Sequence, residues 1–350
     1  MKWEENVRKV TPYVAGEQPK KDNIIKLNTN ENPYPPSPKV RELAARMNLD
    51  GLRLYPDMNA EKLVNVLAQY YHVEPSQVFV GVGSDDVLAL AFMTFFNGEK
   101  PVLFPDITYS FYDVWAEVFR IPYKTCPLDE NFCIRKEDYF APNGGIVIPN
   151  PNAPTGILED IRMFEEIVAA NPDSVVIIDE AYVDFGGKSA LPLLEKYENL
   201  MVVQTFSKSR ALAGLRVGYA IGNKKLIDYL KDVKFSFNSY TMNMPAIEMG
   251  AAAVLDDAYF KETVGKIVKT REWTKEQLKK LGFSFADSKS NFLFVTHEKV
   301  PAGEIFAALK ENGIYVRHWN KPRIDNYLRI TIGTDEQMRA LVAFLEKYFV

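Results

Sequence analysis

The chain has 350 residues, 47% of them hydrophobic, with 42 lysines and arginines against 46 aspartates and glutamates and a formal net charge of -4. That length can bury a large core and suits two structural units, while the evenly mixed charge leaves no basic tract able to follow a phosphodiester backbone, which argues against nucleic acid as a partner. A polar N-terminus and the lack of any run near ~18 apolar residues argue against a secretory signal and a membrane span, and predict a cytosolic protein.

The first 30 residues carry too little apolar periodicity to stand alone and are expected to pack on a smaller unit formed by residues 256–350. The Pro-rich NENPYPPSP (30–38) reads as an extended linker. From about residue 75 to 225, short apolar runs alternate with loops and helix-length amphipathic segments. The runs are VFVGVG (78–83), PVLFPD (101–106), GIVIPN (145–150), SVVIIDEAY (174–182), LMVVQTFS (200–207) and VGYAIG (217–222). Near-continuous Val/Ile runs fit strands buried on both faces of a mostly parallel sheet with helical crossovers, so the fold class is α/β and residues 31–255 form the large unit. Beyond 255 the texture changes. A long charged helix, DDAYFKETVGKIVKTREWTKEQLKKLG, ends at Gly282, and then SNFLFVT, a helix around PAGEIFAALKENG, IYVRHW, YLRITIG and a closing helix EQMRALVAFLEKYF read as a smaller α+β unit.

Cys126 and Cys133 lack ligand-like spacing and His72, His297 and His318 are scattered, so neither a disulfide framework nor a metal site is expected. GVGSDD offers only a GxG, without the third glycine or the distal acid of a dinucleotide fingerprint.

In open α/β sheets ligands gather beyond the carboxyl ends of the strands, so the loops after the apolar runs are read together. Ser84-Asp85-Asp86 caps a helix and offers free backbone N–H groups to an anion, although capping alone explains it equally well. Tyr109 projects above the same edge and can stack on a flat ring. PNAPTG (151–156) exposes Asn152. Asp179 of DEAY ends an apolar strand, where an unpaired charge is costly, so something cationic should face it. Lys208 follows a strand instead of lying on a charged helix face, with Ser207 and Arg216 placed to reach a phosphate. A phosphorylated aromatic cofactor with a ring nitrogen satisfies all of these groups at once, and pyridoxal 5′-phosphate is such a molecule: Lys208 would bind its aldehyde, Asp179 would keep the pyridine nitrogen protonated and Tyr182 would donate to the ring hydroxyl.

NTNENPYP, LYPD, PNAPTG, DEAY, TFSKSRALAGLRVGY and YLRITIGT, in this order from residue 28 to 334, resemble the fold-type I PLP-dependent aminotransferases, most closely the branch acting on histidinol phosphate. The resemblance implies Lys208 as Schiff-base lysine and proton shuttle, Asp179 on the pyridinium, Tyr182 on the ring oxygen and Tyr109 stacked on the ring. It assigns the cofactor phosphate to Ser207, Arg216 and the Ser84-Asp85 backbone, with Tyr55 of LYPD reaching it from a neighbouring subunit, so the active unit would be a homodimer with shared sites. Relatives carry the asparagine that bonds the ring oxygen immediately before PTG. Here that place is Ala153, and the expectation is that the loop shifts to present Asn152.

The resemblance also bears on the substrate. Arg329 in YLRITIGT is similar to the family's carboxylate-binding arginine, and Arg317 in IYVRHW and Tyr13 in VTPY match its second phosphate site, with Arg323 nearby. The implied reaction is transamination between L-histidinol phosphate/imidazole-acetol phosphate and 2-oxoglutarate/glutamate, a step of L-histidine biosynthesis. An aromatic amino-acid aminotransferase and a phosphothreonine decarboxylase are the alternatives.

Overall fold

The computed structural model describes residues 2–14, 16–20 and 23–349. A short strand β1 (Ile25–Lys26) is followed by seven that build one sheet: β2 (Val78–Gly81), β3 (Val102–Pro105), β4 (Tyr123–Cys126), β5 (Gly145–Pro149), β6 (Val176–Asp179), β7 (Leu200–Thr205) and β8 (Gly218–Gly222). Their spatial order is β2-β8-β7-β6-β5-β3-β4. All neighbours run parallel except β8, which is antiparallel to both β2 and β7, so the sheet is mixed and mostly parallel.

Six of the seven strands are buried along their whole length. Successive side chains point to opposite faces of a strand. Val147, Ile177, Met201 and Val203 therefore pack under the helices Ser84–Phe95, Tyr112–Phe119 and Lys224–Phe237, whereas Ile146, Ile148, Val176, Ile178, Leu200 and Val202 pack on the other face beneath the helix Ile161–Ala170. Full burial of such a side chain contributes about 1.5–3 kcal/mol, and burial on both faces is why these strands read as unbroken apolar runs. The exception, β4, is an edge strand with its first three residues exposed, and its sequence YKTC carries no apolar run.

A second sheet of order β12-β13-β10-β9 is formed by β9 (Phe283–Phe285), β10 (Phe292–His297), β12 (Arg317–His318) and β13 (Leu328–Thr331), all antiparallel. The stretch IYVRHW is not one strand. It splits into β11 (Ile314–Tyr315), which pairs in parallel with β1, and β12, which pairs with β13. The helices Asp257–Lys280, Ala302–Glu311 and Asp335–Tyr348 close a core around Phe292, Leu293, Ile305, Ile330 and Leu341. Gly282, just past the long helix, has φ 85°, the left-handed stop that glycine permits. Among the described residues no helix is long and apolar enough to cross a membrane.

Candidate active site

The carboxyl ends of β2, β3, β5, β6 and β7 share one edge of the large sheet, and two adjoining cavities of about 460 and 260 Å³ lie there. Thr29, Tyr109, Ala153, Tyr182 and Lys208 line both, so Lys208 stands at their boundary. The smaller cavity adds Ser84, Asp85, Asp179, Ser207 and Arg216. The larger adds Tyr13, Arg317, Trp319, Arg323 and Arg329.

In the smaller cavity, Asp179 is the last residue of β6 and only 5% exposed. Its Oδ2 accepts a 2.8 Å hydrogen bond from Tyr112 Oη and its Oδ1 one of 3.2 Å from the Ala181 N–H. Burial pushes its carboxyl up to about 6, with the Tyr112 bond opposing that rise. Among the described residues two neutral donors hold this buried carboxylate and the Lys208 charge offsets its burial only in part, which suits a positively charged partner within the cavity.

At the other end, Arg216 Nη1 donates to Ser207 Oγ at 3.3 Å and its Nη2 to Asp85 Oδ2 at 3.1 Å, while Tyr109 Oη donates to Asp85 Oδ1 at 2.7 Å. Burial and the neighbouring Asp85 raise the Tyr109 phenol well above its ordinary value, so it stays a donor. Ser84 is not the helix cap: Gly83, at φ 85°, holds that place, and Ser84 begins the helix. A Cβ at Gly83 would come within 2.6 Å of Arg216 Nη2, so glycine is what lets the guanidinium close over the turn. The amides of the helix's first turn have no intrahelical acceptor and favour an anion beside Arg216 and Ser207. With Asp179 below and the Tyr109 ring alongside, the set fits a flat ligand with a protonated ring nitrogen at one end and a phosphate at the other.

Lys208 is held by its backbone. Asn32 Nδ2 donates to the carbonyls of Lys208 and Ser209 at 3.0 and 3.1 Å, so the supposed linker NENPYPPSP in fact braces the lysine turn. Lys208 Nζ lies 5.6 Å from the centroid of the Tyr182 ring.

In the larger cavity, Arg329 Nη2 donates to the Asn28 carbonyl at 3.0 Å, while its buried Nε has no partner among the described residues. Burial lowers its proton affinity, as for a cation held ready for an anionic ligand. Arg317 stacks over Trp319 at 5.3 Å and donates to the Val14 carbonyl at 3.3 Å, and Tyr13 stacks on Phe111 at 4.2 Å. Arg323 is tied down by Asp106 Oδ2 and the carbonyls of Leu128 and Asp129, which joins the second sheet's loop to the β3 end of the first.

Two expected residues stand apart. Asn152 does not face either cavity: its Nδ2 donates to the Ile107 carbonyl at 2.9 Å and its Oδ1 accepts from Thr108 Oγ1 at 3.0 Å, so it pins the loop after β3 while Ala153 lines the cavities. Tyr55 is 83% exposed and packs on Tyr240 at 4.7 Å, away from the cavities of its own chain. Sequence reasoning missed Tyr112, Asn30 and Asn32. Asn30 Nδ2 donates to Tyr182 Oη at 2.8 Å across 152 residues of chain, a contact without any local sequence signal.

A model of the aminotransferase class I and II family matches residues 22–345. A histidinol-phosphate aminotransferase from Lactococcus lactis subsp. cremoris is 53% identical over 99% of this chain and 98% of its own length, and one from Hydrogenovibrio crunogenus is 55% identical over 96% and 94%. Among solved structures, the histidinol-phosphate aminotransferase from Clostridium acetobutylicum superposes with a TM-score of 0.85 at 24% identity, covering 93% of this chain and 99% of its own. The enzyme of that name from Sinorhizobium meliloti, in complex with pyridoxal-5′-phosphate, does so with a TM-score of 0.83 at 22% identity over 93% and 90%. At those identities the two structures establish the α/β fold shared with this chain.

Proposed function

This chain belongs to the class I and II aminotransferases, within the histidinol-phosphate aminotransferases, and we propose that it exchanges an amino group between L-histidinol phosphate and 2-oxoglutarate, giving imidazole-acetol phosphate and glutamate, with pyridoxal 5′-phosphate as cofactor. In cells it runs toward L-histidinol phosphate, a step of histidine biosynthesis in the cytoplasm. The observation that carries this reading is the position of Lys208, on the boundary between a cavity ending in a buried carboxylate and one walled by Arg317 and Arg329.

The cofactor, bound in the smaller cavity, supplies an aldehyde that links to an amine and a ring that takes up the electron pair left when the adjoining carbon loses its proton. Asp179 would hold the proton on its ring nitrogen, with the bonds from Tyr112 and the Ala181 N–H orienting the carboxylate. Arg216, Ser207 and the amides of Ser84 and Asp85 would bind the phosphate, with Asp85 holding the guanidinium in place. Tyr109 would stack on the ring and Tyr182 would donate to its oxygen.

Lys208 first supplies the amine of the resting enzyme. With its amine free, Lys208 would take the proton from the substrate carbon and later give it back, as a general base and then a general acid. Arg329 receives the carboxylate of glutamate, whereas Arg317 with Tyr13 receives the phosphate of histidinol phosphate. One site thus accepts two amino donors of different anionic chemistry in turn.

The catalytic unit in this reading is a homodimer, with Tyr55 of each copy reaching the other's cofactor phosphate. Exposed Leu49, Leu52, Leu54, Tyr55, Phe237 and Tyr240 support it, because so many large apolar side chains in two adjoining segments suit a covered surface. Residues 31–255 form the cofactor-binding domain and 256–350 the smaller one, with residues 1–30 packed on the latter.

The test is a steady-state comparison of L-histidinol phosphate, phenylalanine and tyrosine as amino donors to 2-oxoglutarate. A preference for the phosphorylated donor of about 10²-fold or more in kcat/KM, largely removed by Arg317→Ala, is expected of a site built to pair a phosphate. Equal rates with all three donors would contradict it.

A further inference from the structure

Asn30 sits where three segments cross, with φ 56°, a left-handed conformation that asparagine tolerates. Its backbone N–H donates to Thr331 Oγ1 at 3.0 Å, and that hydroxyl donates back to Asn30 Oδ1 at 3.1 Å. Asn291 Nδ2 donates to the Asn30 carbonyl at 3.0 Å. These bonds fix the amide: with Oδ1 committed to Thr331, the Nδ2 end is the one that meets Tyr182 Oη at 2.8 Å. An amide nitrogen only donates. The Tyr182 hydroxyl therefore accepts from Asn30, and its own proton must point elsewhere. Among the described residues no acceptor takes that proton, and the side chain lines both cavities.

We propose that Asn30 is a positioning residue that aims the Tyr182 hydroxyl proton at the ring oxygen of the bound cofactor, filling the role of the asparagine whose place Ala153 occupies. This rests on the function proposed above. Asn152 lines neither cavity, and its amide is turned to Ile107 and Thr108. A bond donated into the Tyr182 oxygen also polarises the O–H, making it a better donor onward. The packing around Asn30 is rigid, being buried and tied to Thr331 and Asn291 of the second sheet, so the direction of the proton is set before any ligand arrives. The charged groups that share cavities with Tyr182 are Lys208, over its ring, then Glu31, Asp85, Asp179 and Arg216 in the smaller cavity, and Asp106, Asp113, Arg317, Lys321, Arg323 and Arg329 in the larger.

The inference is tested on the pyridoxal-phosphate-loaded protein by following its visible absorption band with pH. A bond donated to the ring oxygen favours the more negative, deprotonated form of the chromophore, so losing it raises the midpoint. Asn30→Asp, whose carboxylate accepts the Tyr182 proton, should raise the midpoint by about one pH unit or more. Asn30→Gly keeps the left-handed backbone allowed and should raise it by less. In a Tyr182→Phe background Asn30→Gly should add nothing further, since the two act through one bond. Thermal melts and cofactor content per chain check that the variants fold and load. An unchanged midpoint in a fully loaded Asn30→Gly protein, or a shift that persists undiminished without the Tyr182 hydroxyl, would overturn the proposal. A parent protein that develops no visible band with pyridoxal phosphate would instead sink the proposed function.

Discussion

The Tyr112 hydroxyl donates to Asp179 Oδ2 at 2.8 Å from a side chain with no exposed surface. This neutral donor only partly offsets the burial of a carboxylate at the end of a strand, and burial pushes the carboxyl up to about 6 from its ordinary 3.8. The folded chain without cofactor thus holds this proton more tightly than the unfolded chain. Its contribution to stability is present below pH ~4 and is lost as pH rises through 6, a cost of about 3 kcal/mol at pH 8. In cofactor-free protein, Asp179→Asn should therefore be more stable than the parent to urea at pH 8, by up to that amount, and about equal at pH 4. A variant less stable at both values would show that the carboxylate is compensated within the chain.

Tyr112→Phe removes the donor and leaves the ring packing against Phe92 and Phe104. Hydrogen bonds to charged groups contribute about 1.5–3 kcal/mol. Cofactor affinity, measured by titration of the visible band, should fall by about 10-fold or more.

Arg216, proposed to bind the cofactor phosphate, donates to Ser207 and Asp85 in the chain alone. Arg216→Lys loses the fork geometry. It should weaken binding of pyridoxal 5′-phosphate by about 10- to 100-fold, corresponding to one or two charge-assisted bonds, and leave binding of unphosphorylated pyridoxal nearly unchanged. Equal losses for both ligands would place the arginine's effect on the fold instead.

The two half-reactions should separate by residue. Arg329, whose buried Nε lacks an acceptor among the described residues, is proposed to meet the carboxylate. Arg329→Lys should slow the glutamate half-reaction by about 10²-fold in single turnover while sparing histidinol phosphate, because the ammonium cannot offer the planar pair of donors. Arg317→Ala should do the reverse.

The sheet and the Lys208 environment were legible because they are local. Each buried strand is an apolar run, and the two central groups follow such runs directly, Asp179 after VVII and Lys208 after LMVVQTFS. What was not legible depends on residues far apart in the chain. Strand β4 lacks an apolar face, being an exposed edge, and the reversed direction of β8 leaves no mark on its composition. Asn30 reaches Thr331 over 301 residues, and nothing in NTNENP distinguishes a brace from a solvated linker. Asn152 misled for the same reason: its spacing suited the cofactor, but its amide is claimed by Ile107 and Thr108 on a neighbouring loop. Tyr112, within an amphipathic helix, looks like any core aromatic until the strand end beneath it is known.

The most direct measurement is borohydride reduction of the pyridoxal-phosphate-loaded protein followed by peptide mass analysis. One phosphopyridoxyl group per chain is expected, on Lys208 alone, and none after Lys208→Ala although that variant still binds the cofactor. A label on another lysine, or its persistence in Lys208→Ala, would contradict it.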